Sequence, residues 1–229
     1  SGACARERRP ASTEYTVWTV DSSRLASAIP QSAAIAAPSP TSPLTVSHAG
    51  AAGRLYLLVL SGAASDRTFV DVTDDGGNEW HEAAAAADGV GRAVAMWYTA
   101  SAAAFTEVAV ELGAGAGNAF ATLLEVGGAD LSDPLDTAAA ELRSSSSSPA
   151  PVEITPSADN QLIIAAVMAS PNTTEDIVAE PGWALLPSHV SGHAIAYRVD
   201  ASAAVPVGAE WTFAGASGSG HVIAAIRQA

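Results

Sequence analysis

The chain has 229 residues, 24 of them acidic and 10 basic, for a formal net charge of −14. That balance argues against a nucleic-acid partner, because holding phosphates needs a basic stripe that this chain lacks. The single cysteine, Cys4, excludes an intrachain disulfide, and no apolar run approaches the roughly 20 residues of a membrane-spanning helix.

Fifty-two residues are alanine, so the nominal 48% hydrophobic content leaves only about a quarter of the chain with larger apolar side chains. That is enough for a folded core, but one built from small residues. All ten basic residues are arginine.

Residues 1–43 read as an extended N-terminal arm, rich in Ala, Ser and Pro after a basic start. Residues 15–20 (Tyr-Thr-Val-Trp-Thr-Val) are dense in strand formers and predict one strand. Arg6, Arg8, Arg9 and Trp18 are the arm's candidates for partner contacts. Prolines 30, 38, 40 and 43 preclude a helix or central strand as far as Leu44.

Residues 44–137 and 152–229 read as two copies of one unit. Residues 93–103 match residues 194–204 without a gap, and both end in Ala-Ser-Ala-Ala. Upstream, residues 55–60 pair with 162–167, and the turn before Trp80 pairs with the turn before Trp183. Downstream, 108–112 matches 209–213, and 120–126 matches 222–228. Shared landmarks in a shared order signal duplication. Between the copies, residues 138–151 contain five consecutive serines and two prolines, which predicts a linker.

The periodicity is two throughout, with turn residues every 8–12 positions. This predicts an all-β fold: a duplicated antiparallel β-sandwich, jelly-roll-like, with the two pseudo-repeats packed together. Residues 83–87, a run of alanine, are the one place where a short helical turn competes. The segments 55–60 and 162–168 are apolar on both faces and should be covered on both sides.

Comparing the copies assigns faces. Ile195, Tyr197 and Val199 point one way, with Ala196, Arg198 and Asp200 on the solvent side. The matching solvent positions in the first copy are Ala95, Trp97 and Thr99, which makes Trp97 a candidate contact residue. It reads as an oligomer contact, a sugar-stacking platform, or core. Val108, Val110, Leu112, Trp211 and Phe213 face inward, as do Phe120, Leu124 and Val126.

Asp71, Asp74, Asp75 and Asn78 form an oxygen-rich loop of a kind that can hold calcium, although Asp-Gly-Gly-Asn is also an ordinary hairpin turn. His189 and His193 lie four apart beside Gly192, which favours a hairpin over a zinc pair. The glycine-serine run 215–220 fails the spacing of a nucleophile elbow and reads as a hairpin. Glu111 and Glu125 point outward from successive strands; a glycosidase pair and two solvated acids are the competing readings. No catalytic constellation emerges, so the chain is expected not to be an enzyme, with calcium its sole cofactor candidate.

The run from Gly77-Asn78-x-Trp80, through the strand carrying Trp97-Tyr98, to Leu-x-Val-Gly-Gly-x-Asp (Leu124 to Asp130) and Pro134-Leu135-Asp136 resembles β-sandwich domains of tailed-bacteriophage virion proteins and bacterial surface proteins. The resemblance covers residues 44–228 and transfers no functional residue. It implies a non-enzymatic structural or attachment protein located in a phage-like particle: a capsid decoration, minor capsid or tail-appendage protein. Its partners would be other virion proteins or copies of itself. The alternative is a secreted or cell-surface carbohydrate-binding module whose partner is a host-surface glycan. Neither involves nucleic acid or membrane insertion.

Overall fold

A computed structural model describes residues 29–35, 42–62, 68–88, 92–113, 119–169, 177–186, 192–200, 202–215 and 217–229. Among these there are only strands, and the expected duplication organises them. The first repeat holds β1 (Ile29–Ile35), β2 (Leu44–Gly50), β3 (Arg54–Gly62), β4 (Phe69–Asp74), β5 (His81–Ala87), β6 (Ala93–Ser101), β7 (Phe105–Leu112) and β8 (Ala119–Gly127). The second holds β9 (Leu135–Ser146), β10 (Glu153–Ile154), β11 (Gln161–Ala169), β12 (Val178–Ala179), β13 (Ala184–Leu186), β14 (His193–Asp200), β15 (Val207–Gly208), β16 (Trp211–Thr212) and β17 (Ser217–Ile226).

One five-stranded sheet runs β1-β8-β3-β6-β5; its counterpart runs β9-β17-β11-β14-β13, the same order strand for strand. Each is backed by a smaller outer layer. In the first repeat this is the continuous sheet β2-β7-β4, and in the second it is two ribbons, β10-β15 and β12-β16.

Hydrogen-bond register refines the repeat alignment. Leu57 lies between Tyr98 and Leu124, while Leu162 lies between Val199 and Ile226. Those flanking residues are the ones the sequence already matches. Leu162 therefore corresponds to Leu57, two residues from the Leu55 expected. A slip of two leaves every side chain on its expected face, which is why alternation alone does not detect it.

The result is a four-layer body. The two five-stranded sheets face each other across a central cluster that includes Leu57, Val59, Met96 and Leu124 from one, and Leu162, Ile164, Ile195 and Val222 from the other. Outer clusters lie under β2-β7-β4 (Tyr56, Leu58, Val108, Val110) and under the two ribbons (Ile163, Val167, Trp211, Ile223). β3 and β11, central in their sheets, are thus apolar on both faces because both faces are covered, as expected. Burying each large side chain contributes about 1.5–3 kcal/mol.

Several expectations are corrected. Residues 83–87 are strand, not helix: as part of β5 they pair with β6, and tertiary pairing overrides alanine's helical preference. Ala83, Ala84 and Ala86 of β5 and Ala138 and Ala140 of β9 all pack at the rim of the central cluster, where small side chains let these two contacting edge strands approach closely. Most of the expected linker is β9, an edge strand paired with β17, so its serines lie in a sheet as far as Ser146. The arm contributes β1, whose Pro30 is tolerated because the strand is at an edge and bulges there. The expected hairpin at 215–220 is already β17 from Ser217; a Cβ on Gly220 would lie 3.1 Å from Val94 and 3.2 Å from Leu142, so the glycine sits in a tight contact between the sheets.

The solvent face assigned to β6 and β14 is also corrected. Ala95, Trp97, Thr99 and Ala196 are buried. The outer layers cover them; in β14, Arg198 is half-buried and Val199, expected inside, is exposed.

Candidate functional site

The carboxylate loop is a turn held by its own polar groups. Gly77 adopts φ +72°, closing the turn after β4. Asp74 accepts hydrogen bonds from the Asn78 backbone N–H, the Asn78 side-chain amide (3.0 Å) and the Trp80 indole N–H (2.9 Å). Asn78 Oδ1 in turn accepts from the N–H groups of Ala102 and Ala103, anchoring the repeated Ala-Ser-Ala-Ala turn. Asp75 accepts from the hydroxyl and N–H of Thr106 and the N–H of Glu107, which hold its carboxyl below the usual range. Asp71 accepts from the N–H of Val72. These oxygens are taken up by backbone and side-chain donors of the turn and its neighbours, and among the described residues no three His, Cys, Asp or Glu side chains come together as metal donors.

Trp97 is 8% exposed and part of the outer core of the first repeat, so of its three readings the structure places it as core. Trp80 and Trp183 are buried in equivalent outer clusters, each with its indole N–H bonded to a nearby carboxylate, Asp74 or Glu180. In the second repeat the residue matching Trp97 is Arg198, whose guanidinium lies 5.3 Å over the Trp183 ring.

The end of each repeat carries a polar cluster, and register makes the two equivalent. In the first, Tyr56 pairs with Glu125. The Ala51 N–H donates to the phenol oxygen (2.7 Å), the phenol donates to Glu125 (3.3 Å), and His48 and Arg54 each lie 3.7 Å from the same carboxylate. Burial pushes the Tyr56 phenol up to about 12, and burial drives His48 down despite Glu125. In the second repeat the matching residues are Gln161 and Arg227, which converge on Asp136 at 3.0 Å each. Burial alone would raise the Asp136 carboxyl; Ser157, Gln161 and Arg227 hold it below its ordinary value.

Two buried serine–histidine pairs escape sequence reasoning. Ser61 Oγ and His193 Nδ1 share a 2.6 Å hydrogen bond that joins β3 to β14 across the central core, and Ser219 pairs with His221 Nε2 at 2.8 Å. Burial depresses both imidazoles to about 4, aided at His221 by Arg143. Both serines are fully buried, so neither pair offers a nucleophile to solvent. Arg92 also bridges the repeats: it pairs with Asp88 at 2.7 Å and donates to the Arg143 carbonyl at 2.6 Å. Ser61 and His193 leave no spacing signal because 132 positions separate them, whereas Ser219–His221 and Asp88–Arg92 are local pairs whose burial or bridging role only the packing of the sheets reveals.

Glu111 and Glu125 stand on different layers. Glu111 is on the exposed face of β7 and lines an open groove of about 360 Å3 with Ser42, Pro43, Asp71, Thr73 and Ala109. Glu125 is tied into the Tyr56 cluster. The candidates Arg6, Arg8, Arg9 and Trp18, and the predicted strand at 15–20, lie outside the described residues, as does His189. Compared with known proteins, the chain matches no family model, no curated protein and no solved structure.

Proposed function

We propose that the chain is a non-enzymatic structural or attachment protein of a phage-like particle, acting as a capsid decoration, minor capsid or tail-appendage component. The observation that supports this reading is where the polar side chains are used. Asp74, Asp75, Asn78, Asp136, Arg92 and Arg227 bond to turn backbone or tie layers together. Such a distribution suits a rigid body whose job is to hold shape. Mass spectrometry of purified particles from cultures expressing the chain tests it. Recovery at stoichiometric copy number in the particle fraction is the expected result; recovery solely as free protein overturns it.

The alternative, a carbohydrate-binding module, calls for an exposed aromatic platform. Trp80, Trp97, Trp183 and Trp211 are all buried, so no described tryptophan offers a sugar a stacking face.

A further inference from the structure

Among the described residues nothing covers the outer face of β2-β7-β4. Its outward side chains form cross-strand rows: Asp71 opposite Glu111, Ala109 between Thr45 and Thr73, and Ser47 opposite Glu107. None of the three strands contains lysine or arginine, so the charged side chains of these rows, Asp71, Glu107 and Glu111, are all acidic. The groove lined by Asp71, Thr73, Ala109 and Glu111 opens on it. Neither Asp71 nor Glu111 has a cationic partner among the described residues.

Like charges directly opposite each other weaken a strand pair. The second repeat shows that the fold does not require this pair. With Val110 and Trp211 as matched inward residues, Asp71 and Glu111 align with Val178 and Thr212, which are themselves paired across β12 and β16. Two β-branched residues, well suited to a strand pair, fill the equivalent outward positions there. The first repeat has therefore placed two carboxylates side by side where packing is indifferent to them, and an approaching cation would relieve their repulsion.

We propose that this face docks the chain's own basic N-terminal segment, with guanidinium groups of Arg6, Arg8 and Arg9 on Asp71 and Glu111. A planar guanidinium presents paired donors to adjacent carboxylate oxygens, which a point charge does not. The 19 residues between Arg9 and Ile29 span up to about 65 Å when extended, ample reach on a body of this size. β1 enters the body beside β2, the edge strand of this very sheet, so tethering holds the arginines near the face at about millimolar effective concentration. The particle reading is not needed for this proposal, and its test does not involve particles.

A nitroxide on Cys4, the sole cysteine, reports the docked position in the full chain. The expected result is loss of the amide NMR signals of Asp71, Thr73, Ala109 and Glu111 through paramagnetic broadening. Those signals should return in D71V/E111T, which installs the residues the second repeat already accommodates, and in R6Q/R8Q/R9Q; thermal unfolding checks that both variants fold. Unbroadened signals in the parent chain, or broadening that persists in D71V/E111T, overturn the proposal. A mixture of spin-labelled chain and isotopically labelled chain without the nitroxide should show no broadening; broadening of those signals in the mixture assigns the face to a second copy and overturns docking of the chain's own segment.

Discussion

The two repeats share one strand order and one central core yet finish their outer faces differently. In the first, β7 runs unbroken through Phe105–Leu112 and joins β2 and β4 into a single sheet. In the second, the equivalent stretch is interrupted between β15 and β16 at Ala209-Glu210, leaving two short ribbons. Matched positions are also filled by different chemistry: Trp97 against Arg198, Tyr56 and Glu125 against Gln161 and Arg227. The faces that the two large sheets turn toward each other stay apolar in both repeats, because each is buried against the other. Divergence falls on the outward faces and ends of those sheets and on the outer layers, which need only one apolar face.

The comparison is most sharply tested at Trp97. Trp97→Ala should cost about 3–5 kcal/mol, since it empties a large space in a covered core, whereas Arg198→Ala should cost about 1 kcal/mol through loss of the ring contact. Urea unfolding measures both; equal costs would show that the two outer layers are not built as differently as their side chains imply.

Acid should strike the second repeat first, because His193 and His221 both belong to it. Their folded values, about 4, lie below the unfolded value of 6.5, so the folded state disfavours the charged form. Stability is therefore complete above pH 6.5 and falls as pH drops toward 4, by about 3 kcal/mol for His193. Hydrogen exchange at pH 7 and pH 5 should show the added opening in β11, β14 and β17. Uniform loosening of both repeats would contradict the asymmetry.

The polar ends predict a smaller difference. Arg227→Gln leaves the Asp136 carboxylate, 3% exposed, without its cation and should cost about 2–3 kcal/mol, reduced from a fully buried pair because the guanidinium reaches solvent. Glu125→Gln, at the matched position, should cost about 1 kcal/mol since Tyr56 keeps an acceptor. Thermal denaturation of the two variants side by side decides whether the ends are energetically unequal. The least effect is a gain: Ala204 sits at φ +59°, so Ala204→Gly should stabilise by about 0.5–1 kcal/mol, visible as a raised denaturation midpoint.

Alternation was legible because a strand exposes its period directly. Val108, Val110 and Leu112 are buried with Glu111 exposed, and Trp211 and Phe213 are buried with Glu210 and Thr212 exposed, as their spacing predicts. The double-sided burial of β3 and β11 was legible for the same reason. Trp97 misled because Arg198, at its matched position, marks the end of a strand and not a wet face along its length. Serines 144–146 misled because composition describes how a segment tends to behave alone, and β17 supplied a partner.

From the order of its residues alone, this chain determines that it is all-β, that one pattern occurs twice, and which side chains of most strands point inward. Those properties are local, set by a period of two and by turn chemistry. Only the folded molecule decided that the repeats close on each other through their large sheets, that Ser61 meets His193, that Asp136 collects Gln161 and Arg227, and that Asp71 stands opposite Glu111. Each of those joins residues from separate strands, and which strands become neighbours is decided by burying the whole apolar surface at once, not by any short stretch of sequence.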